Sequence, residues 1–312
     1  MVNKSYKLKK HKILGRVDNI YLYCMIALPV LALFIFNYIP MGGLIIAFKD
    51  YRYDLGIFGS EWNGFENFKY FVTSNDFGTV TRNTLVLNFC FMIFGTIAAV
   101  ALALLMNGII SRKSIKTYQT ILILPHFLSW VIVGYMTYAL LNPEYGMLNS
   151  LLNRLGMESI QWYSEPKYWP FILIIANTWK HVGLNSIIYY SALLGIDESL
   201  YEAAEVDGAT SWQKIKCITI PSILPMIVML NILSVGSIFR ADFGLFYQLT
   251  RDSGKLYEVA DVMDTYIFRV MRNVGDISTS SAAGFLQSVV GFIMVVTTNA
   301  IVKKVDKDSA LY

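Results

Sequence analysis

Six long stretches of the 312-residue chain are almost purely apolar, and polar residues gather between them. The runs cover residues 20–39, 84–106, 118–141, 168–194, 219–239 and 282–302. Each reaches the roughly 20 apolar residues that a helix needs to cross a bilayer, and the longer ones leave slack for tilt. Runs this long and this segregated exclude an ordinary soluble core. The pattern predicts an all-α polytopic membrane protein with six transmembrane helices. A basic segment, 1–19, precedes a single transmembrane domain, 20–312. The basic flank of the first run would suit a signal peptide, but the run is too long and no small-x-small cleavage site follows it. It is expected to be a retained helix.

Composition fits this picture. Hydrophobic residues make up 55% of the chain and charged ones 15%, against roughly 25% charged in soluble domains. The net charge of +4 is too small and scattered for a nucleic-acid partner. It reads instead as an orientation signal. Lys4, Lys7, Lys9, Lys10, Lys12 and Arg16 precede the first run, Arg112, Lys113 and Lys116 fill a short connection, and Lys303 and Lys304 close the last run. Basic residues near helix ends mark the cytoplasmic side, so both termini are expected in the cytoplasm. Cys24, Cys90 and Cys217 show no paired spacing, which indicates neither a disulfide framework nor a metal site. Val259, Val262, Met263, Tyr266, Ile267 and Val270 form a short apolar stripe among charges. Residues 256–271 are therefore expected to form an external surface helix rather than a seventh span.

The connection at 195–221 carries the most local information. Asp197 and Ser199 compete to cap a helix, and Thr210 with Gln213 has capping-box spacing. Gly208 stands between them, where a helix stop needs a residue tolerant of positive φ. Pro221 is expected in the first turn of the fifth span, where its missing N–H costs nothing. Two short helices joined without a flexible linker to a membrane helix should move with it.

The pattern Glu202-Ala203-Ala204, then Gly208 after three residues, then Ile218-x-Ile220-Pro221 after nine, resembles the EAA signature of permeases in binding-protein-dependent ABC importers. Only Ile220 departs from the usual Leu. Residues 38–51, 64–68, 82–84, 124–130, 142–146 and 261–266 are similar to stretches of the polysaccharide-type, LplB-like carbohydrate permeases. That resemblance implies the type I importer permease fold and a place in a bacterial plasma membrane. It also implies a second, related permease as heterodimer partner, two cytoplasmic ATPase subunits, and an external lipid-anchored protein that delivers an oligosaccharide. Glu202, Ala203, Ala204 and Gly208 would then contact the ATPase, with Ile218 and Pro221 setting the bracket's angle. No Gly-x-x-x-x-Gly-Lys-Ser/Thr loop occurs. ATP and Mg would be used by the partners, and this chain would hold no cofactor and catalyse no covalent chemistry.

Polar residues inside the runs are candidates for the translocation path. Asn177, His181 and Asn185 recur every four residues on one helical face, with Lys180 beside them. A basic residue near mid-bilayer costs roughly 2.5–3.5 kcal/mol, so Lys180 must face protein or water. The set forms either a polar wall or inter-helix hydrogen bonds. Asn231 and Ser234 in the fifth run are open to the same two readings. Trp130 is either a sugar platform or an ordinary buried aromatic. Rival functions are a permease for a non-sugar solute, a membrane-embedded transferase and a passive channel.

Overall fold

The computed structural model describes residues 16–305, so Lys4, Lys7, Lys9, Lys10 and Lys12 of the basic segment lie outside the described residues. Five helices are long and apolar enough to cross a membrane, and up to six if a bent pair is counted as one span. They are α1 (Tyr21–Phe48), α2 (Asn75–Asn107), the bent pair α3 (Arg112–Phe127) and α4 (Trp130–Leu141), α5 (Pro166–Leu193), α7 (Ser211–Gly236) and α10 (Ile277–Lys304). Shorter helices connect them: α6 (Glu198–Val206) before α7, then α8 (Phe243–Thr250) and α9 (Met263–Arg269) between α7 and α10. A two-stranded ribbon, β1 (Lys49–Asp50) and β2 (Glu61–Trp62), pairs antiparallel after α1.

Two apolar clusters sit at opposite ends of the helix bundle. Ala99, Ala103 and Met106 of α2 meet Tyr189, Tyr190 and Leu193 of α5 and Ile223 of α7 at the end that carries α6. At the other end Leu87, Val133, Trp169 and Leu173 enclose Leu245, Phe246 and Leu249 of α8. The most apolar window of α1 buries nothing within the chain. Leu28 and Phe36 are more than 70% exposed, a surface suited to lipid or to another subunit.

The third expected span is not one straight helix, because its halves meet at 94°. Pro125 offers no N–H and its ring crowds the preceding turn. The chain passes through a 3₁₀ turn at Leu124–Phe127 and an extended Leu128 before Ser129 caps α4, its Oγ accepting from the Ile132 N–H at 3.3 Å.

Pro40 and Pro221 are accommodated differently. Each follows a π-turn, at Phe34–Tyr38 and at Ile215–Thr219. The wider turn gives the carbonyl four residues before each ring more room. Consequently the helix that carries the fifth apolar run does not begin near Pro221, as the sequence suggested. It runs continuously from Ser211, so the second bracket helix and the span are one rod.

The expected surface helix at 256–271 is also different. It breaks at Asp261 into Tyr257–Ala260 and α9, and it is buried: Val262, Met263 and Tyr266 are at most 3% exposed. Thr265 Oγ1 accepts from the Val262 N–H at 2.9 Å, and Asp261 pairs with Arg269 at 2.7 Å. The Met263 N–H donates to Thr84 Oγ1 of α2 at 2.9 Å, fixing the segment against the bundle.

Candidate functional site

Between α2, α5 and α7 lies a cavity of about 540 Å³. Its walls carry Asn88 and Thr96 from α2, Asn177, His181 and Asn185 from α5, and Asn231, Ser234 and Ser237 at the end of α7. Arg240 and Asp242 close the end nearest α8. Amide and hydroxyl groups thus line a hole in an otherwise apolar bundle. Thr96 Oγ1 donates to Asn231 Oδ1 at 3.2 Å, and Asn231 Nδ2 donates to the Ile227 carbonyl at 2.8 Å. Asn88 Nδ2 donates to the carbonyls of Ile238 at 2.7 Å and Arg240 at 3.1 Å. By contrast, the side chains of Asn177, His181 and Asn185 hydrogen-bond to no other described residue. Their donors and acceptors are left for whatever fills the cavity.

Lys180 and Trp130, also candidates for the translocation path, do not line it. Lys180 is buried and turns to the break in the third span. Its Nζ donates to the carbonyls of Pro125 (3.4 Å), His126 (3.0 Å) and Leu128. The Pro125 carbonyl also accepts from the Leu128 N–H at 3.1 Å, but those of His126 and Leu128 have no other donor among the described residues; helix ends need such partners, all the more where no water can supply them. The ammonium also sits 5.0 Å from the Trp130 ring centre. Trp130 Nε1 donates to Asp242 Oδ2 at 2.5 Å, while Asp242 Oδ1 accepts from the N–H groups of Gly244 (3.0 Å) and Leu245 (3.3 Å). Lys180, Trp130 and Asp242 therefore join α5, α4 and α8, and of the three only Asp242 also lines the cavity.

Close approach of α3 and α5 depends on Gly183. A Cβ there would collide with the Leu122 backbone. Asn88 and Thr96 were not among the residues expected here, although their eight-residue spacing puts both on one face of α2.

The loop at 195–221 forms a bracket. Asp197 caps α6, its carboxylate accepting from the Ser199 N–H at 3.0 Å; that bond holds its carboxyl below the ordinary range. At the far end Gly208 has φ +74°. The Ala209 N–H reaches the Ala204 carbonyl at 2.9 Å and the Gly208 N–H reaches Glu205 at 3.0 Å, the hydrogen-bond pair of a Schellman stop. Thr210 and Gln213 form the capping box that starts α7. Lys214 Nζ bonds to Glu205 at 2.5 Å, and the Tyr201 hydroxyl meets that of Thr219 at 2.9 Å. Both contacts hold α6 against α7. Glu202, Ala203, Val206 and Gly208 remain exposed, with Val206 89% accessible. Ile218 sits in the π-turn and Pro221 just beyond it.

The family model for binding-protein-dependent transport system inner membrane components matches residues 92–307. The chain belongs to this family. Protein LplB of Bacillus subtilis (strain 168) is 37% identical over 290 residues, covering 92% of this chain and 90% of that protein. The polygalacturonan/rhamnogalacturonan transport system permease protein YteP of the same strain is 35% identical over 296 residues, covering 95% and 92%. Among solved structures, a chain of a bacterial ABC transporter that imports the acidic polysaccharide alginate is 34% identical, with a TM-score of 0.84 over 93% of this chain and 97% of that one. A second structure, in complex with an alginate pentasaccharide-bound periplasmic protein, matches with a TM-score of 0.83.

Proposed function

We propose that the chain is one permease subunit of an ATP-driven importer of oligosaccharides. The observation that carries the reading is the cavity wall of Asn177, His181 and Asn185, polar side chains inside an apolar bundle that hydrogen-bond to no other described residue. Such groups in a membrane serve a path for polar cargo. The relatives supply the cargo class, since they are named for polygalacturonan, rhamnogalacturonan and alginate. Asn231 and Ser234 complete the wall across from α5.

In this reading the bracket faces the cytoplasm with both termini, in a bacterial plasma membrane. Glu202, Ala203, Ala204 and Gly208 engage one of two ATPase subunits, and Ile218 and Pro221 transmit the push. Because α7 is unbroken from Ser211 to Gly236, displacement of the bracket tilts Asn231 and Ser234 directly. A second permease forms the other half of the path. An external binding protein loads it, and ATP with Mg acts on the ATPases. Closure of the ATPase dimer opens the path outward, and hydrolysis returns it inward.

The test is purification of tagged protein from native membranes, with Glu202→Lys and Gly208→Asp in parallel. Recovery of a second permease and an ATPase with the wild type, and loss of the ATPase alone from the variants, is the expected result. An ATPase that is absent even after cross-linking would remove the importer reading.

A further inference from the structure

A second, smaller cavity of about 190 Å³ lies between α4 and α8. It is lined by Tyr135, Tyr138, Tyr247, Gln248, Arg251 and Asp252. Its size is well below the roughly 300–1,000 Å³ of sites that take a drug-sized molecule, and leaves room for a single sugar ring. We infer that it is an entry subsite for one pyranose unit of the oligosaccharide, resting on the importer reading above.

The chemistry is that of a sugar site. The Tyr135 ring, with no aromatic or cationic partner among the described residues, offers apolar surface to the C–H face of a pyranose, while Tyr247 stacks on Phe243 at 4.9 Å, and the polar groups beside them can meet the sugar's hydroxyls. None of the Tyr135, Tyr138 or Tyr247 hydroxyls, the Gln248 amide or the Arg251 guanidinium hydrogen-bonds to another described residue. Arg251 instead lies over the Tyr138 ring at 4.0 Å, which leaves its N–H groups free at the edge. Arg251 and Asp252 both adopt left-handed backbone, with φ of 54° and 51°. That conformation is uncommon for residues other than glycine. The Tyr257 hydroxyl holds it in place by donating to Asp252 Oδ1 at 2.9 Å. The floor is rigid, because α4 and α8 cross at Gly134, where a Cβ would lie 2.8 Å from the Gln248 carbonyl oxygen.

Position supports the same assignment. Asp242, at the start of α8, lines the larger cavity, and Tyr247 and Gln248 of the same helix line the smaller. At about 1.5 Å per residue the two are separated by roughly 9 Å along α8. In this assignment an extended oligosaccharide bridges that distance to reach both.

The experiment uses proteoliposomes holding the whole transporter with its loaded binding protein. Uptake is measured for a dimer and a tetramer of galacturonate and for maltose and maltotetraose. The variants are Tyr135→Ala and Gln248→Leu. Tyr135 is 69% exposed, so its truncation leaves the buried clusters intact. A lost contact of about 1 kcal/mol lowers uptake of the transported tetramer about fivefold, while the matching dimer, held in the larger cavity alone, changes less than twofold. Equal losses for dimer and tetramer, no loss in either variant, or loss of the second permease from the purified assembly would each overturn the subsite. A wild type that transports none of the four sugars defeats the importer reading as well; a wild type that transports and variants that match it defeat the subsite alone.

Discussion

Replacing Lys180 by Met tests whether one ammonium holds the break in the third span. Met keeps most of the volume and removes the charge. Three charge-assisted hydrogen bonds, to Pro125, His126 and Leu128, are each worth roughly 1.5–3 kcal/mol. Against them stands the desolvation of a buried ammonium, several kcal/mol in its own right. The difference leaves about 2–4 kcal/mol of stability lost in the variant, since the His126 and Leu128 carbonyls lose their donor while that of Pro125 keeps the Leu128 N–H at 3.1 Å. For a chain of this size that lowers Tm by roughly 4–8 °C. The measurement is thermal unfolding of purified protein in detergent, followed by size-exclusion recovery, with uptake measured beside it. Trp130→Phe separates the contributions, because it keeps a ring under the ammonium and removes the bond to Asp242. A Lys180→Met protein that melts within about 1 °C of wild type and transports normally would refute the claim that this ammonium organises the break.

Three further outcomes follow from local geometry. Gly208→Ala places a Cβ at φ +74° and should cost about 1 kcal/mol, lowering the ATPase activity of the assembled complex while uptake falls in step; stable assembly with uptake at the wild-type rate would count against a tight bracket. Gly183→Val drives a side chain into the Leu122 backbone and should destabilise by about 3 kcal/mol or more, read as loss of monodisperse protein, whereas Gly95→Val, with open space around it, should be tolerated. Asp264 gives a pH signature. Burial raises its pKa, against the Ala241 N–H and the Gln287 amide that bond to it. An acid whose folded value lies above the unfolded value near about 3.9 supports the fold below it and loses that support as pH rises through the folded value. Asp264→Asn should therefore melt alongside wild type in acid and above it at neutral pH, and a wild type that gains on the variant with rising pH would contradict this.

The parts of the fold that were legible in the sequence are those set by contiguous residues. A run of apolar residues reports its own burial in lipid, and the capping box at Thr210 and the glycine stop at Gly208 satisfy helix ends within a few residues. What the sequence could not convey depends on residues far apart. Pro125 sits in an unbroken apolar run, so a 94° bend leaves no trace in hydropathy. Trp130 and Asp242 are 112 residues apart and meet through one hydrogen bond. The stripe from Val259 to Val270 shows that one face of the segment is covered; it does not show that α2 and α10 enclose the rest, which is why a surface helix was expected and a buried one is found.

The same distance separates two kinds of polar residue on one helix. Lys180 and Asn177 are neighbours in sequence, and hydropathy charges both as expensive in a membrane. The first is satisfied by the carbonyls of a broken neighbour, and the second by nothing in the described chain. A bundle cannot leave the second kind facing lipid, because no water is there to meet it. Asn177, His181 and Asn185 must therefore face either water or cargo, and the cavity supplies the space for both. Sequence spacing placed all of these residues on α5, but only the location of each partner decides which of them structure the protein and which are left free to act.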